Sequence, residues 1–307
     1  MTTFKLIDVN ANLTHIEYSG CYGAYSTRIH KPDLPQVLER SWEAGLQKII
    51  ICPKDLNESR KGLKIAESDK RLFCTIGCAP ENCLQFEENE DTDLYVQQIK
   101  DLIALGKEKV VAIGECCFAD RTDNPFNLQL KWFKIQLQLS KSFNLPLIIS
   151  SNGNYAHQFL LRTLRPFPNL KGVIYCLDPT VDIIKRFVDA GFYIGLDIWS
   201  FLSEETIEAI KIIPLDKIIF QTNCPRRSIL RFSPAYPHIS RQNLHELLIT
   251  KKENWSPGFM VTDRNEPCNI RQILDMAAFV TKTNKSDLAE QVYQNTMRLF
   301  FPKENVA

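Results

Sequence analysis

The chain has 307 residues, of which 44% are hydrophobic and 24% charged, a composition that suits a folded globular protein and excludes a disordered one. Thirty-seven basic residues against thirty-six acidic ones leave a net charge of +1, too little for a global field that would draw in nucleic acid or an anionic membrane. No apolar run approaches the roughly 20 residues of a membrane span, so no membrane partner is expected.

The first element, Leu6–Val9, reads as a strand. The residues before it lack the basic, apolar and small-residue zones of a secretion signal, so a cytoplasmic or nuclear location is expected. Leu34–Gly45 starts beside a proline and stops at a glycine, as a helix does. Short apolar, β-branched runs follow at Lys48–Cys52, Phe73–Gly77 and Val110–Glu115. Leu128–Phe143 sets Trp132, Phe133, Leu137 and Leu139 on one broad stripe and is expected to be an amphipathic helix. Runs at Leu145–Ser150 and Gly172–Cys176 lead to a helix over Thr180–Ala190. A run at Phe192–Asp197 then leads to a helix over Ser203–Ile212 and a last run at Lys217–Asn223. Ser203 is the expected N-cap of its helix, with a capping box that Thr206 leaves incomplete.

Most of these runs are nearly continuous in apolar character, the mark of strands buried on both faces. Eight strands alternating with helices predict a parallel α/β sheet closed into one (β/α)8 barrel, spanning residues 1–307 as a single domain. An open dinucleotide-binding sheet would need a glycine fingerprint after a strand, and none is present. A long excursion at 224–267 follows the eighth strand. It carries seven basic and four acidic residues, with Tyr236, His238, His245 and Trp255 interleaved. It reads as a solvated lobe at the barrel mouth or, less strongly, as a nucleic-acid surface around Arg226, Arg227 and Trp255.

The ten cysteines lie mostly in apolar runs and are expected to be reduced, packed thiols. Cys74-x3-Cys78-x4-Cys83 lacks the second ligand pair that a structural zinc site would need.

In a barrel of this kind, chemistry sits at the C-terminal strand ends. These are expected to present Asp8, Asn10, Asn12, Cys52, Cys78, Glu115, Ser150, Tyr175, Asp197, Gln221 and Asn223. A two-metal hydrolase would want several carboxylates and imidazoles there. None of the five histidines closes a strand, so the residues themselves do not read as a metalloenzyme.

The segments Phe4–Thr14, Val111–Cys116, Gly172–Cys176, Asp263–Cys268 and Asn295–Pro302, in that order, resemble the TatD deoxyribonuclease family, in particular its eukaryotic subgroup. The resemblance covers essentially the whole chain. It implies a barrel of the metal-dependent hydrolase kind and divalent-metal-dependent hydrolysis of DNA phosphodiesters. The family's Asp-x-His-x-His pattern falls on Asp8, Asn10 and Asn12. Its Gly-Glu-x-Gly-Leu-Asp motif falls on residues 114–119, keeping Glu115 and placing Ala119 where an aspartate is expected. Its His-x-Arg becomes Ser150-Ser151-Asn152, its next histidine becomes Tyr175, and its Glu-Thr-Asp-x-Pro becomes Gln221-Thr222-Asn223-Cys224-Pro225. Glu115 is thus the one matched metal ligand, and Asn10, Asn12, Ser150, Tyr175 and Asn223 mark degenerate ligand positions.

The expectation is a TatD-like barrel that has lost its catalytic metal centre and acts as a non-catalytic binding or scaffold protein. No cofactor is expected, DNA binding is expected to be weak, and the sequence names no protein partner. The alternative is a weak deoxyribonuclease holding Mg²⁺ or Mn²⁺ through Glu115, nearby amides and the DNA itself. A third class, a metal-free hydrolase using Glu115 and Asp197, has no motif in its support.

Overall fold

Eight parallel strands form one sheet in chain order: β1 (Leu6–Ala11), β2 (Leu46–Ile51), β3 (Leu72–Ile76), β4 (Val110–Ala119), β5 (Leu147–Asn152), β6 (Gly172–Leu177), β7 (Tyr193–Leu196) and β8 (Ile218–Phe220). This computed structural model describes residues 4–86, 92–119, 124–244 and 248–304. The sheet closes where the chain leaves β8: Asn223 N–H donates to the Asn10 carbonyl and Asn12 N–H to the Cys224 carbonyl, each at 2.9 Å. The barrel expected from the eight apolar runs is the observed fold.

Alternation along each strand divides the core in two. One set, including Ile7, Val9, Ile50, Cys52, Ile148, Val173, Tyr175 and Ile219, fills the lumen. The opposite set, including Ile49, Ile51, Ile149, Ile174 and Phe220, packs outward against the helices. These helices are α1 (Leu34–Glu43), α2 (Leu56–Glu67), α3 (Thr92–Leu105), α4 (Phe126–Phe143), α5 (Asn154–Leu164), α6 (Val181–Asp189), α7 (Glu204–Lys211), α8 (Ile270–Thr281) and α9 (Lys285–Phe300). Trp132, Phe133, Leu137 and Leu139 form the buried face of α4, as their spacing predicts. The end of α9 plugs the floor: Met297, Leu299, Phe300 and Phe301 join the lumen set, and Phe301 meets Phe73 edge-on at 4.7 Å. The lumen is therefore a packed core open to chemistry at one end.

Two local features differ from the sequence-based expectation. The capping box of α7 is complete: Ser203 Oγ accepts from Thr206 N–H at 3.3 Å, and Thr206 Oγ1 accepts from Ser203 N–H at 3.2 Å. A threonine hydroxyl reaches back as a glutamate carboxylate would. Strand β4 also runs four residues beyond Glu115, to Ala119. Its register against β5 shifts between Ile113 and Cys116, a bulge of the sort that re-aims side chains near a strand end. Gly114 and Gly77 permit the close approach here, since a β-carbon at Gly77 would lie 2.5 Å from the Gly114 backbone.

The excursion after β8 is built from short 3-10 turns and a two-stranded parallel pair, Ile249–Thr250 with Met260–Val261. It is tied down at several points. Ser233 Oγ donates to the Phe201 carbonyl at 2.6 Å, and Asn243 Nδ2 donates to Asp275 at 2.8 Å. His245 and Glu246 lie outside the described residues.

Candidate active site

At the C-terminal end of the barrel, three strands supply one hydrogen-bonded chain. Cys116 and Phe118 pack outward, so Glu115 between them and the bulge faces the lumen. There Glu115 Oε1 accepts the hydroxyl proton of Tyr175 from β6. The same hydroxyl oxygen accepts from Asn10 Nδ2 of β1 at 2.9 Å. Asn10 and Tyr175 are buried, while Glu115 is half-buried. Two positions at which the family pattern has histidines thus carry a neutral amide and a phenol, and both are linked to the matched carboxylate. Ser150 lies beside them, paired in register with Tyr175.

A second set surrounds Asp8. Its carboxylate accepts from Thr222 N–H at 2.9 Å, from the Thr222 hydroxyl and from Asn10 N–H at 3.2 Å. Burial raises its pKa from 3.8 to about 6, against the opposing pull of those hydrogen bonds. Gln221, one residue past β8, is fully buried, and among the described residues neither end of its amide has a hydrogen-bond partner. It faces across Gly195, where a β-carbon would lie 3.5 Å from Gln221 Oε1 and 3.2 Å from Tyr175 Cβ. Asn223 adopts a left-handed φ of 57° and uses its backbone to close the barrel.

Asn12 is brought to the same end but turned to the rim. Its Oδ1 accepts from the Thr14 hydroxyl at 2.6 Å, and its Nδ2 donates to Glu58 at 3.4 Å. Exposed Arg226 stands on that rim and reaches His15 Nε2 at 3.4 Å. Arg227 points the other way, into the mouth. It forms an ion pair with Asp197, and its Cζ lies 5.5 Å from the Tyr175 ring centroid and 5.3 Å from that of Trp199. Asp197 also caps the 3-10 turn Ile198–Phe201 through bonds from Trp199 and Ser200 N–H, so its carboxylate is occupied on both sides. Trp255 is stacked on His30 with centroids 4.8 Å apart.

The inward turn of Arg227 is the feature that sequence reading misses. Arg226 and Arg227 are adjacent cations in one loop, and the pattern gives both the same solvent-facing reading. A left-handed φ of 55° at Arg227, with Asn265 Nδ2 donating to its carbonyl at 3.1 Å, sends the two side chains apart. Asn265-Glu266-Pro267 proves to be scaffolding. Glu266 is buried between Arg40 at 2.8 Å and Arg264 at 3.0 Å, and Pro267 opens the turn into α8.

The residues at the mouth do not fit a divalent ion. Among the described residues, no three His, Cys, Asp or Glu side chains come together in a ligand group. Glu115 is bonded to Tyr175, Asp8 is taken up by Thr222 and Asn10 N–H, Asp197 is paired with Arg227, and Asn10 and Gln221 offer neutral amides, while Arg227 adds a fixed positive charge. Nor do thiols substitute. Burial pushes Cys52, Cys116, Cys176 and Cys224 well above the ordinary thiol range, keeping them protonated rather than thiolate. Cys116, Cys176 and Cys224 pack in the outer core rather than converging on the mouth, and the Cys117 side chain and Arg121 lie outside the described residues. Cys78 and Cys83 are neighbours at 3.8 Å, buried beneath the turn that follows β3.

Comparison with known proteins agrees with the architecture. The Deoxyribonuclease Tat-D of Schizosaccharomyces pombe is 27% identical over 307 residues, covering 97% of this chain and 96% of that protein. A 3'-5' ssDNA/RNA exonuclease TatD of Edwardsiella piscicida is 28% identical over 305 residues, covering 96% and 99%. A crystal structure of a hydrolase TatD family protein from Entamoeba histolytica superposes with a TM-score of 0.88 at 25% identity, covering 98% of this chain and 100% of that one. With the TatD related DNase family model matching residues 7–301, the chain belongs to that family.

Proposed function

We propose that this TatD-family barrel is a non-catalytic binding or scaffold protein whose mouth no longer runs metal-dependent phosphodiester hydrolysis. One observation carries the reading: the matched carboxylate, Glu115, is closed into a hydrogen-bonded chain with Tyr175 and Asn10. A metal-activated nucleophile requires an ion held in fixed geometry, because only then does the pKa of bound water fall toward ~7. The Tyr175 hydroxyl takes up part of the acceptor capacity of Glu115 Oε1, and the other groups bonded into the chain are neutral, so little anionic charge is left to hold an ion.

The Edwardsiella relative is named for single-stranded DNA and RNA, so single-stranded nucleic acid is the ligand class to test. Contact would run along the rim, with exposed Arg226 and the half-buried Trp255 as first candidates. With few cations there, binding is expected to be weak.

The deciding experiment incubates a 3'-labelled single-stranded oligonucleotide with the purified protein and Mg²⁺ or Mn²⁺, beside Glu115→Gln. Cleavage is expected to be equally absent from both. Turnover by the wild type that Glu115→Gln abolishes would overturn the reading in favour of a working deoxyribonuclease.

A further inference from the structure

Arg227 sits where the strand pattern places no cation. Its backbone holds a left-handed φ that non-glycine residues rarely adopt, and Asn265 bonds to both the Arg227 and the Thr222 carbonyls, at 3.1 and 2.8 Å. A conformation of this cost persists only where its surroundings enforce it. The guanidinium is thereby delivered over the Tyr175 ring, in contact with Asp197 and one side chain away from Glu115.

The charges around it are lopsided. Asp197 and Glu115 are both carboxylates. Glu115 bonds to the neutral Tyr175 hydroxyl and Asp197 to Arg227. Burial alone would make Arg227 easier to deprotonate, but Asp197, Tyr175 and Glu115 more than reverse this and hold its proton above the ordinary arginine affinity. An added anion would meet these two carboxylates, so the site does not read as an anion pocket. A divalent cation would meet a fixed positive charge in a region of reduced dielectric, where like charges repel strongly.

We propose that Arg227 is the resident cation of the mouth: it supplies from within the chain the positive charge that a divalent ion would otherwise bring, and it bars that ion even when carboxylate ligands are put back. The inference rests on the preceding reading that the mouth holds no catalytic metal. It adds a specific cause, which is a cation gained as well as ligands absent.

The test restores charge without changing shape. Gln221→Glu with Asn223→Asp returns two carboxylates beside Glu115, and Mn²⁺ binding is followed by the paramagnetic resonance signal of the free ion. Adding Arg227→Gln to this background is expected to tighten Mn²⁺ binding at least tenfold, whereas adding Arg227→Lys, which keeps the charge, leaves it weak. If Arg227→Gln binds no tighter than its parent, or Arg227→Lys binds as tightly as Arg227→Gln, the proposal fails. Should the doubly substituted scaffold not fold, Arg227→Gln and Arg227→Lys in the wild-type background must show the same order. Micromolar binding of Mn²⁺ by the wild type itself would instead overturn the non-catalytic reading, so the two failures are distinguishable.

Discussion

Two charged clusters lie among the same loops and use their arginines differently. Behind the mouth, Arg264 donates to both oxygens of Asp33 at 2.9 and 2.5 Å and to Glu266 at 3.0 Å. Arg40 grips Glu266 from the other side at 2.8 and 3.0 Å. Two cations meet two carboxylates that are 0% exposed, and the ions leave almost no net charge. In the mouth, Arg227 answers Asp197 directly, while Glu115 accepts a hydrogen bond from a neutral tyrosine hydroxyl. The first cluster is a closed set that ties α1 to the entry of α8. The second carries excess negative charge and keeps it near water, because Glu115 is half-buried. The difference teaches that buried charge alone does not mark a functional site. What sets the mouth apart is incomplete compensation beside an open end.

The sharpest way to break that contrast is Arg264→Leu, which leaves Asp33 in the interior without its cation. Removing one partner of a buried pair typically costs about 3–5 kcal/mol, and urea denaturation should show a loss of that size. A loss within about 1 kcal/mol would mean the closed cluster is not the scaffold it looks to be.

Asp8 provides the next test, through pH. Burial raises its folded pKa from 3.8 to about 6, so the folded chain binds this proton more tightly than the unfolded chain does. The stabilisation from that proton is fully present below the unfolded pKa and is lost as pH rises through the folded value near 6. Asp8→Asn has no proton to lose. Its stability relative to the wild type should therefore rise by roughly 2 kcal/mol between pH 4 and pH 8. A difference that stays flat over this range would show that burial does not raise the proton affinity of Asp8 in the folded chain.

The smallest effect is expected at Tyr175→Phe, which deletes the hydroxyl joining Asn10 to Glu115. Glu115 can turn to water, so the loss should be about 1 kcal/mol, measured as a modest fall in Tm. A loss as large as that of Arg264→Leu would show that the mouth is as tightly compensated as the scaffold cluster.

Much of this was legible in the chain, though unevenly. All eight strands were predicted, with ends displaced by a few residues: Leu145–Ser150 became Leu147–Asn152, and Val110–Glu115 extended to Ala119. Motif matching brought Asn10, Glu115, Tyr175 and Asn223 to one end, because a β-strand's end is a local property of its sequence. It did not distinguish Asn10, which bonds into the mouth, from Asn12, which turns to Thr14 and Glu58. Those two asparagines have the same identity and sit two apart. Asn10 lies within β1, whose pairing with β2 shifts between Asp8 and Ala11, whereas Asn12 lies past the strand's end.

The sequence by itself determined the barrel, since runs of apolar, β-branched residues between amphipathic helices can bury both faces only in a covered parallel sheet. It also determined the family. The tertiary structure alone decided how the polar groups at the strand ends pair. The Asn10–Tyr175 bond joins residues 165 apart, Arg264–Asp33 joins residues 231 apart, and Arg227 reaches Asp197 from 30 residues away. Hydrophobic periodicity is read locally, residue against neighbour. Pairing of polar groups depends on which strand ends meet and on single backbone angles such as φ at Arg227, and neither is set until the barrel closes.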